Sequence, residues 1–236
     1  MFGISTFCLH DLPLPEALGR LQGLTDTVEI MGDGNHYLES AEPLGSHDFR
    51  YFIHSPSRGV NIASLREPIR RASVEVLSQC FAVAAEVDAP VVVHPGYFAW
   101  KGEREAAIRQ FRLSLHDLKQ AAGELSVTFY LENMPAWDYF FLRFPEELPL
   151  LDGQGLALDV GHASLNGCLP GFLGHTLAHV HLHDNDGKSD THDTIGKGVI
   201  DFSPVKRAIG RDQPSAIIEV STLEGVLQSM EILKKL

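Results

Sequence analysis

Several features are scarce in this sequence, and each scarcity argues against a class of protein. The three cysteines, Cys8, Cys80 and Cys168, stand far apart and include no Cys-x-x-Cys pair, which predicts reduced, mostly packed thiols. No apolar run approaches the length of a membrane span. The first residues, MFGISTF, lack the basic and apolar regions of a signal peptide. We therefore expect a soluble, cytoplasmic protein.

Positive charge is also scarce. The chain has 19 lysines and arginines against 31 aspartates and glutamates, for a net charge of −12. This balance disfavours non-specific binding of nucleic acid through a broad basic surface, although it leaves room for a local basic groove. The chain is 44% hydrophobic, which is ample for a sizeable core. Its 236 residues fit one large domain or two small ones. We predict a single domain over residues 1–236.

Eight short, mostly apolar runs alternate with segments of helical spacing. The runs are rich in β-branched residues and predict strands at 2–6, 28–31, 51–54, 91–94, 127–132, 156–160, 179–183 and 216–220. Helices are predicted at 14–21, 62–87, 103–118, 144–151, 169–177, 203–209 and 223–236. This alternation indicates βα units, and eight of them predict a compact, closed (β/α)₈ TIM barrel. The second choice is a doubly wound open sheet, which usually carries a Gly-x-Gly-x-x-Gly loop that we do not find here.

The stretch 179–198, HVHLHDNDGKSDTHDTIGKG, carries the strongest chemical signal. Its strand places imidazoles at alternate positions, so that they share one face. Residues 179–192 hold four of the twelve histidines and three aspartates. Neutral imidazoles and carboxylates together suit divalent ions such as Zn²⁺ and Mn²⁺.

The other predicted strands supply partners for these groups. In a barrel, the carboxyl ends of all strands converge on the face that carries active sites. Taken alone, each polar residue there could cap a turn, form a hydrogen bond with the backbone or pair with an arginine. Together, however, these carboxylates and imidazoles far outnumber the nearby cations that could offset the cost of burying them, of which Lys188 and Lys197 are the obvious ones. We therefore predict a divalent-metal cluster at this face. The polar residues at or just after the strand ends are Glu29, His54, His94, Glu132, Asp159, His162, His181, His183, Asp190, His192 and Glu219.

The motifs around these residues resemble the xylose-isomerase-like barrel superfamily along the whole chain. They are HSP at 54–56, HPG at 94–96, LEN at 131–133, DVGH at 159–162, HLHD at 181–184, DTH at 190–192 and IGKG at 195–198. That superfamily joins sugar isomerases and epimerases with the endonuclease IV type of apurinic endonuclease (AP endonuclease family 2). Lys197 departs from the family pattern, in which a glutamate usually stands between the two glycines.

The resemblance implies two alternative ligand sets. In the endonuclease branch, three zinc ions would be held, the central one by Glu132, Asp159, His181 and Glu219. His54, His94 and a bridging Glu132 would hold the second ion, and His162, Asp190 and His192 the third. In the sugar branch, a single ion, often Mn²⁺, would occupy the central set, while Glu132 and Glu219 move the substrate proton. His162, His183, Lys188 and Glu29 are then the expected substrate-binding residues.

Two functions therefore stay open. The complete nine-residue ligand set, and the absence of the epimerase arginine shortly after the seventh strand, favour the hydrolase. The short chain and lean loops, without a basic and aromatic insertion for a DNA duplex, favour a small substrate. We favour a metal-dependent isomerase or epimerase of a small sugar or sugar phosphate. The alternative is a zinc-dependent phosphodiester hydrolase of the endonuclease IV type, with nucleic acid as a less favoured partner. A homo-oligomer stays open.

Overall fold

The computed structural model describes residues 2–235, and its centre is a closed barrel of eight parallel strands. Each strand pairs with the next in sequence, and β1 pairs with β8 in the register Gly3 to Ile217. The predicted single barrel is therefore confirmed, and the open sheet is excluded because no strand edge is left. The strands are β1 Gly3–Ser5, β2 Thr27–Met31, β3 Arg50–His54, β4 Val91–Val93, β5 Phe129–Glu132, β6 Gly155–Asp159, β7 His179–Leu182 and β8 Ser215–Ile218.

Within residues 2–235, six α-helices and five 3₁₀ segments connect the strands, and a seventh helix follows β8. The helices are α1 Leu14–Leu21, α2 Glu67–Glu86, α3 Arg104–Leu125, α4 Val160–Leu165, α5 Leu169–Phe172, α6 Phe202–Asp212 and α7 Leu223–Lys235. The 3₁₀ segments are Thr6–Leu9, Gly34–His36, Glu42–Leu44, Lys101–Glu103 and Pro145–Leu151. Within residues 2–235, the connection from β2 to β3 contains only 3₁₀ turns and no α-helix. No helix in this range is long and apolar enough to cross a membrane.

Some predicted boundaries are wrong for identifiable reasons. Helix α3 continues to Leu125, and it ends where Ser126 adopts a left-handed conformation with φ of 58°. The predicted helix at 144–151 is a 3₁₀ segment with Pro149 inside it, and a proline cannot donate the hydrogen bond that an α-helix requires. Helix α4 was missed because Val160 continues the apolar run of β6, whereas the Asp159 side chain caps the backbone N–H of His162 and starts a helix there.

The barrel brings the polar strand ends to one mouth. His54, Glu132 and Asp159 are the last residues of β3, β5 and β6. His94, His183 and Glu219 follow directly after β4, β7 and β8. Because all eight strands run parallel, these side chains meet at the carboxyl-terminal face.

Candidate metal centre

A cavity of about 340 Å³ opens at this mouth, and two kinds of side chain line it. Apolar residues include Met31, Val60, Met134 and Phe140. Among the described residues that line the cavity there is no lysine or arginine. The carboxylates and imidazoles in the lining are His54, His94, Glu132, His162, Asp190, His192 and Glu219.

The central group contains the four residues predicted for the central ion. Their ligand atoms lie within 4.8 Å of one another, and all four residues are buried. His181 Nδ1 lies 2.9 Å from Glu132 Oε1, 3.3 Å from Glu219 Oε2 and 3.9 Å from Asp159 Oδ2. Three carboxylates around one imidazole are too negative to stay buried without a compensating cation. The donor set therefore fits a divalent ion.

The second group, His54, His94 and Glu132, shows the same fit. His54 donates from Nδ1 to the backbone carbonyl of Ser55 at 3.0 Å, so in the neutral ring its Nε2 presents a lone pair. That Nε2 lies 3.1 Å from His94 Nε2, and Glu132 Oε2 is 2.8 Å from His94 and 3.3 Å from His54. Three electron-rich atoms facing one another require a shared cation or extra protons. Glu132 touches both groups, one through each of its oxygens.

The third group contains His162, Asp190 and His192, as expected, and adds His183. His162 and His192 each donate from Nδ1 to a backbone carbonyl, at 2.8 and 2.9 Å, which turns their Nε2 atoms toward Asp190. Those Nε2 atoms lie 3.0 and 3.3 Å from Asp190 Oδ2. His183 Nε2 lies 3.7 Å from Asp190 Oδ1 and 3.1 Å from Asp159. Its buried ring thus stands between the central and third groups.

The carboxylates shift the pKa values of the neighbouring imidazoles upward. Burial alone would lower the pKa of His162, but Asp159 and Asp190 raise it to about 10. Glu132 raises the pKa of His54 to about 9 in the same way, against the effect of burial. Asp190 raises the pKa of His192, also against burial, to about 9. Without an ion, protons on the histidines therefore balance the charge of the carboxylates.

The residues expected to bind substrate do not all reach the cavity. His162 lines it, whereas His183 is buried behind it and Lys188 is exposed on the loop after β7. Glu29 is fully buried and does not line the cavity. The sequence analysis grouped Glu29 with the residues at the strand ends, but β2 ends at Met31, so Glu29 lies two residues below the mouth.

Two residues that the ligand prediction did not include hold the site together. Asn133 Oδ1 accepts from the backbone N–H of Asp159 at 2.7 Å, and its backbone carbonyl accepts from His162. Asp184 is fully buried and accepts four backbone N–H bonds at 2.9 to 3.1 Å. These bonds shape the loop that carries Asp190 and His192. Asn133 lies in the LEN motif and Asp184 in the HLHD motif, but the sequence pattern did not predict that their side chains bind the backbone around the site.

Comparison with known proteins agrees with this geometry. Residues 30–236 match the family model described as the xylose isomerase-like TIM barrel. This chain belongs to that family. The expected resemblance is therefore confirmed.

Relatives of this family member point to both branches. MJ1614, an uncharacterized protein of Methanocaldococcus jannaschii, is 36% identical over 229 residues, which cover 92% of this chain and 91% of that protein. A probable endonuclease 4 of Mycobacterium leprae is 29% identical over 190 residues, 72% of each chain. The crystal structure of a D-tagatose 3-epimerase-like protein matches with a TM-score of 0.89 at 27% identity and covers 99% of this chain and 96% of that one.

Proposed function

We propose that this protein is a divalent-metal-dependent isomerase or epimerase of a small polyhydroxy carbonyl compound. The observation that carries the proposal is the pair Glu132 and Glu219, which line one small cavity and both lie beside Nδ1 of His181. Two carboxylates at one reaction centre supply the base and the acid that proton transfer at carbon requires. The near full-length similarity to the D-tagatose 3-epimerase-like protein supports this function.

The central group would hold the ion, Zn²⁺ or Mn²⁺, through Glu132, Asp159, His181 and Glu219. When bound, the ion supplies Lewis acidity that polarises the carbonyl and hydroxyl oxygens of the substrate. Neighbouring residues keep the ligands in place, since Asn133 holds the backbone of Asp159. The apolar wall of Met31, Met134 and Phe140 limits the access of water.

The two glutamates would have different roles in proton transfer. Glu219 Oε1 is buried and has no hydrogen-bond partner among residues 2–235, so it would accept the proton from the carbon next to the carbonyl. Glu132 would return a proton to the substrate through Oε2, which lies 3.3 Å from His54 Nε2 and 2.8 Å from His94 Nε2. Glu132 therefore starts each turnover protonated and Glu219 ends it protonated, and exchange with solvent returns both to their starting states. One proton leaves the substrate and one reaches it, so no oxidant or reductant is needed.

The test is hydrogen exchange in D₂O with a panel of aldoses and ketoses, using protein loaded with Mn²⁺ or Zn²⁺. We expect deuterium at the carbon next to the carbonyl of at least one sugar, detected by NMR. Glu219→Gln should lower this exchange by about 10²- to 10⁴-fold because the base is lost. Glu224→Gln, on the exposed face of α7, should exchange as the wild type does. No exchange with any sugar by the loaded protein would refute the proposal.

A second candidate is zinc-dependent hydrolysis of a phosphodiester, and the arrangement of Glu132 favours it. If both oxygens of Glu132 hold ions, as the second group suggests, this carboxylate is not free to transfer a proton. The three groups would in that case hold several ions, which would supply the Lewis acidity that hydrolysis of a phosphodiester requires. The similarity to a probable endonuclease 4 agrees with this chemistry.

Metal content separates the two candidates. Elemental analysis of protein purified without chelators would be compared with His192→Ala, which removes a ligand of the third group. One ion per chain that is retained in the variant supports the isomerase. Two or three zinc ions, falling by about one in the variant, together with cleavage of an oligonucleotide that contains an abasic site, support the hydrolase.

A further inference from the structure

Below the central group, two buried side chains, Glu29 and His179, lie in series behind His181. Glu29 Oε1 lies 2.8 Å from His181 Nε2, and Glu29 Oε2 lies 2.8 Å from His179 Nε2. All three side chains are 0% exposed. Neither Glu29 nor His179 lines the cavity, so neither touches a substrate.

The topology explains why these residues meet inside the barrel. His179 and His181 are two residues apart on β7, so their side chains leave the same face of the strand. Glu29 reaches them from β2, and the rings of Phe52 and Tyr130 flank His179 at 5.1 and 5.8 Å. The Glu29 carboxylate thus meets two imidazoles, one of which is flanked by aromatic rings.

A buried carboxylate is energetically unfavourable in a barrel interior, which is usually filled by branched apolar side chains. Within residues 2–235, no lysine or arginine forms an ion pair with Glu29, so only the two imidazoles face its charge. Burying a charge costs free energy that a layer of leucine or valine would avoid. A role at the metal centre explains why the carboxylate is there.

We propose that Glu29 and His179 are positioning residues for His181. The Glu29 carboxylate lies against Nε2 of His181 and attracts a proton to that atom, which favours the ring orientation in which Nδ1 faces Glu132 and Glu219. His179 Nε2 lies against the second oxygen of Glu29 and limits the movement of the carboxylate. Metal-binding histidines commonly give their other N–H to such a partner. The inference applies to the central ion under either proposed chemistry and does not depend on which one is correct.

The first test measures metal affinity rather than turnover. Metal-free protein would compete for Zn²⁺ with a chromophoric chelator, and Glu29→Gln should bind its central ion about 10- to 100-fold more weakly than wild type. His179→Gln should weaken binding less, because Glu29 keeps its contact with His181. The matched control is His36→Gln, which removes another fully buried histidine that bonds Thr6 and the carbonyl of Leu12 instead. It should leave the affinity unchanged.

A double variant separates positioning from general support of the fold. Glu29→Leu with His179→Leu replaces the buried polar pair by apolar side chains, a change that often preserves stability. Positioning predicts a folded protein with an unchanged or higher melting temperature and weakened Zn²⁺ binding. In the Co²⁺-loaded form, its visible absorption spectrum should also differ from that of wild type, because the ligand field of His181 changes. Wild-type Zn²⁺ affinity and Co²⁺ spectrum in Glu29→Gln, or in the folded double variant, would overturn the proposal.

Discussion

At the scale of single residues, Gly161 shows how closely the metal ligands are packed. A Cβ atom at this position would overlap the imidazole ring of His183. That ring stacks on His192 with centroids 3.9 Å apart, so the third group depends on a residue without a side chain. The glycine in the DVGH motif therefore has a steric role.

Gly161→Ala should displace His183 and weaken metal binding at the third group. We expect bound metal to fall by about one ion per chain if that group is occupied, because one or more ligands leave their positions. Elemental analysis after dialysis measures this. Gly19→Ala in α1 is the control, since a Cβ there meets nothing within 4 Å and should stabilise the helix by roughly 0.5–1 kcal/mol. Equal metal content in Gly161→Ala and wild type would show that His183 can move without consequence.

At the scale of elements, the loop after β7 is organised by one buried carboxylate. Asp184 accepts from the backbone N–H groups of Asn185, Gly196, Gly198 and Ile200. Its backbone also pairs with that of Asp193 in an antiparallel bridge. The segment between them presents Asp190 and His192 to the third group. One side chain therefore determines where two ligands stand.

Asp184→Ala should destabilise the protein and loosen this loop. The bond from Asn185 is buried and the other three are partly buried, and a buried N–H that loses its acceptor costs about 1–3 kcal/mol. We therefore expect a loss of roughly 2–3 kcal/mol in the free energy of unfolding by urea. Amide exchange at Gly196 and Gly198 should accelerate. Asp186→Ala is the control within the same loop, because that carboxylate is exposed, and its loss should cost about 1 kcal/mol or less. A similar cost for both variants would contradict the role of Asp184.

At the scale of the whole molecule, the buried histidines link stability to pH. The folded pKa values of His54 and His192, about 9, and of His162, about 10, lie above the ordinary value of 6.5. A group whose pKa is raised by folding stabilises the protein fully below its unfolded pKa, and this contribution is lost as pH rises through the folded value. The metal-free protein should therefore become less stable between neutral pH and about pH 10.

Urea unfolding of the chelator-treated protein across this pH range measures the effect. The metal-loaded protein should show a smaller change, because the bound ion replaces the protons as the compensating charge. Metal uptake should also release protons, which titration calorimetry in buffers of different ionisation enthalpy detects. A metal-free protein that gains stability with rising pH would be inconsistent with this charge balance.

The charge of the cavity predicts a preference among sugars. The described lining contains carboxylates and imidazoles but no lysine or arginine, and the chain carries a net charge of −12. A phosphate group would find no basic side chain in that lining to bind it. Free sugars should therefore exchange with a higher kcat/KM than their phosphate esters, measured in the same D₂O assay. A strong preference for the esters would indicate that metal ions themselves bind the phosphate, as in the hydrolase.

The sequence by itself determined the barrel, because eight apolar runs alternate with helical segments. The same pattern marked polar residues at the ends of runs, such as His54 and Asp159, and the resemblance to the family selected nine candidate ligands among them and the residues that follow. In a parallel barrel this position is sufficient to place a side chain at the mouth. Segment ends were less predictable, as α3 and α4 show, because capping and left-handed residues decide them.

Only the tertiary structure decided which polar residues face the cavity and which support it. Glu29 and His179 follow the same alternation as the ligands, yet they lie one layer lower, because depth in a barrel depends on where each strand begins and ends. His183 joins the third group through packing on Gly161, and Asp184 turns inward to bind distant backbone. These contacts join residues far apart in the chain, so no local pattern contains them.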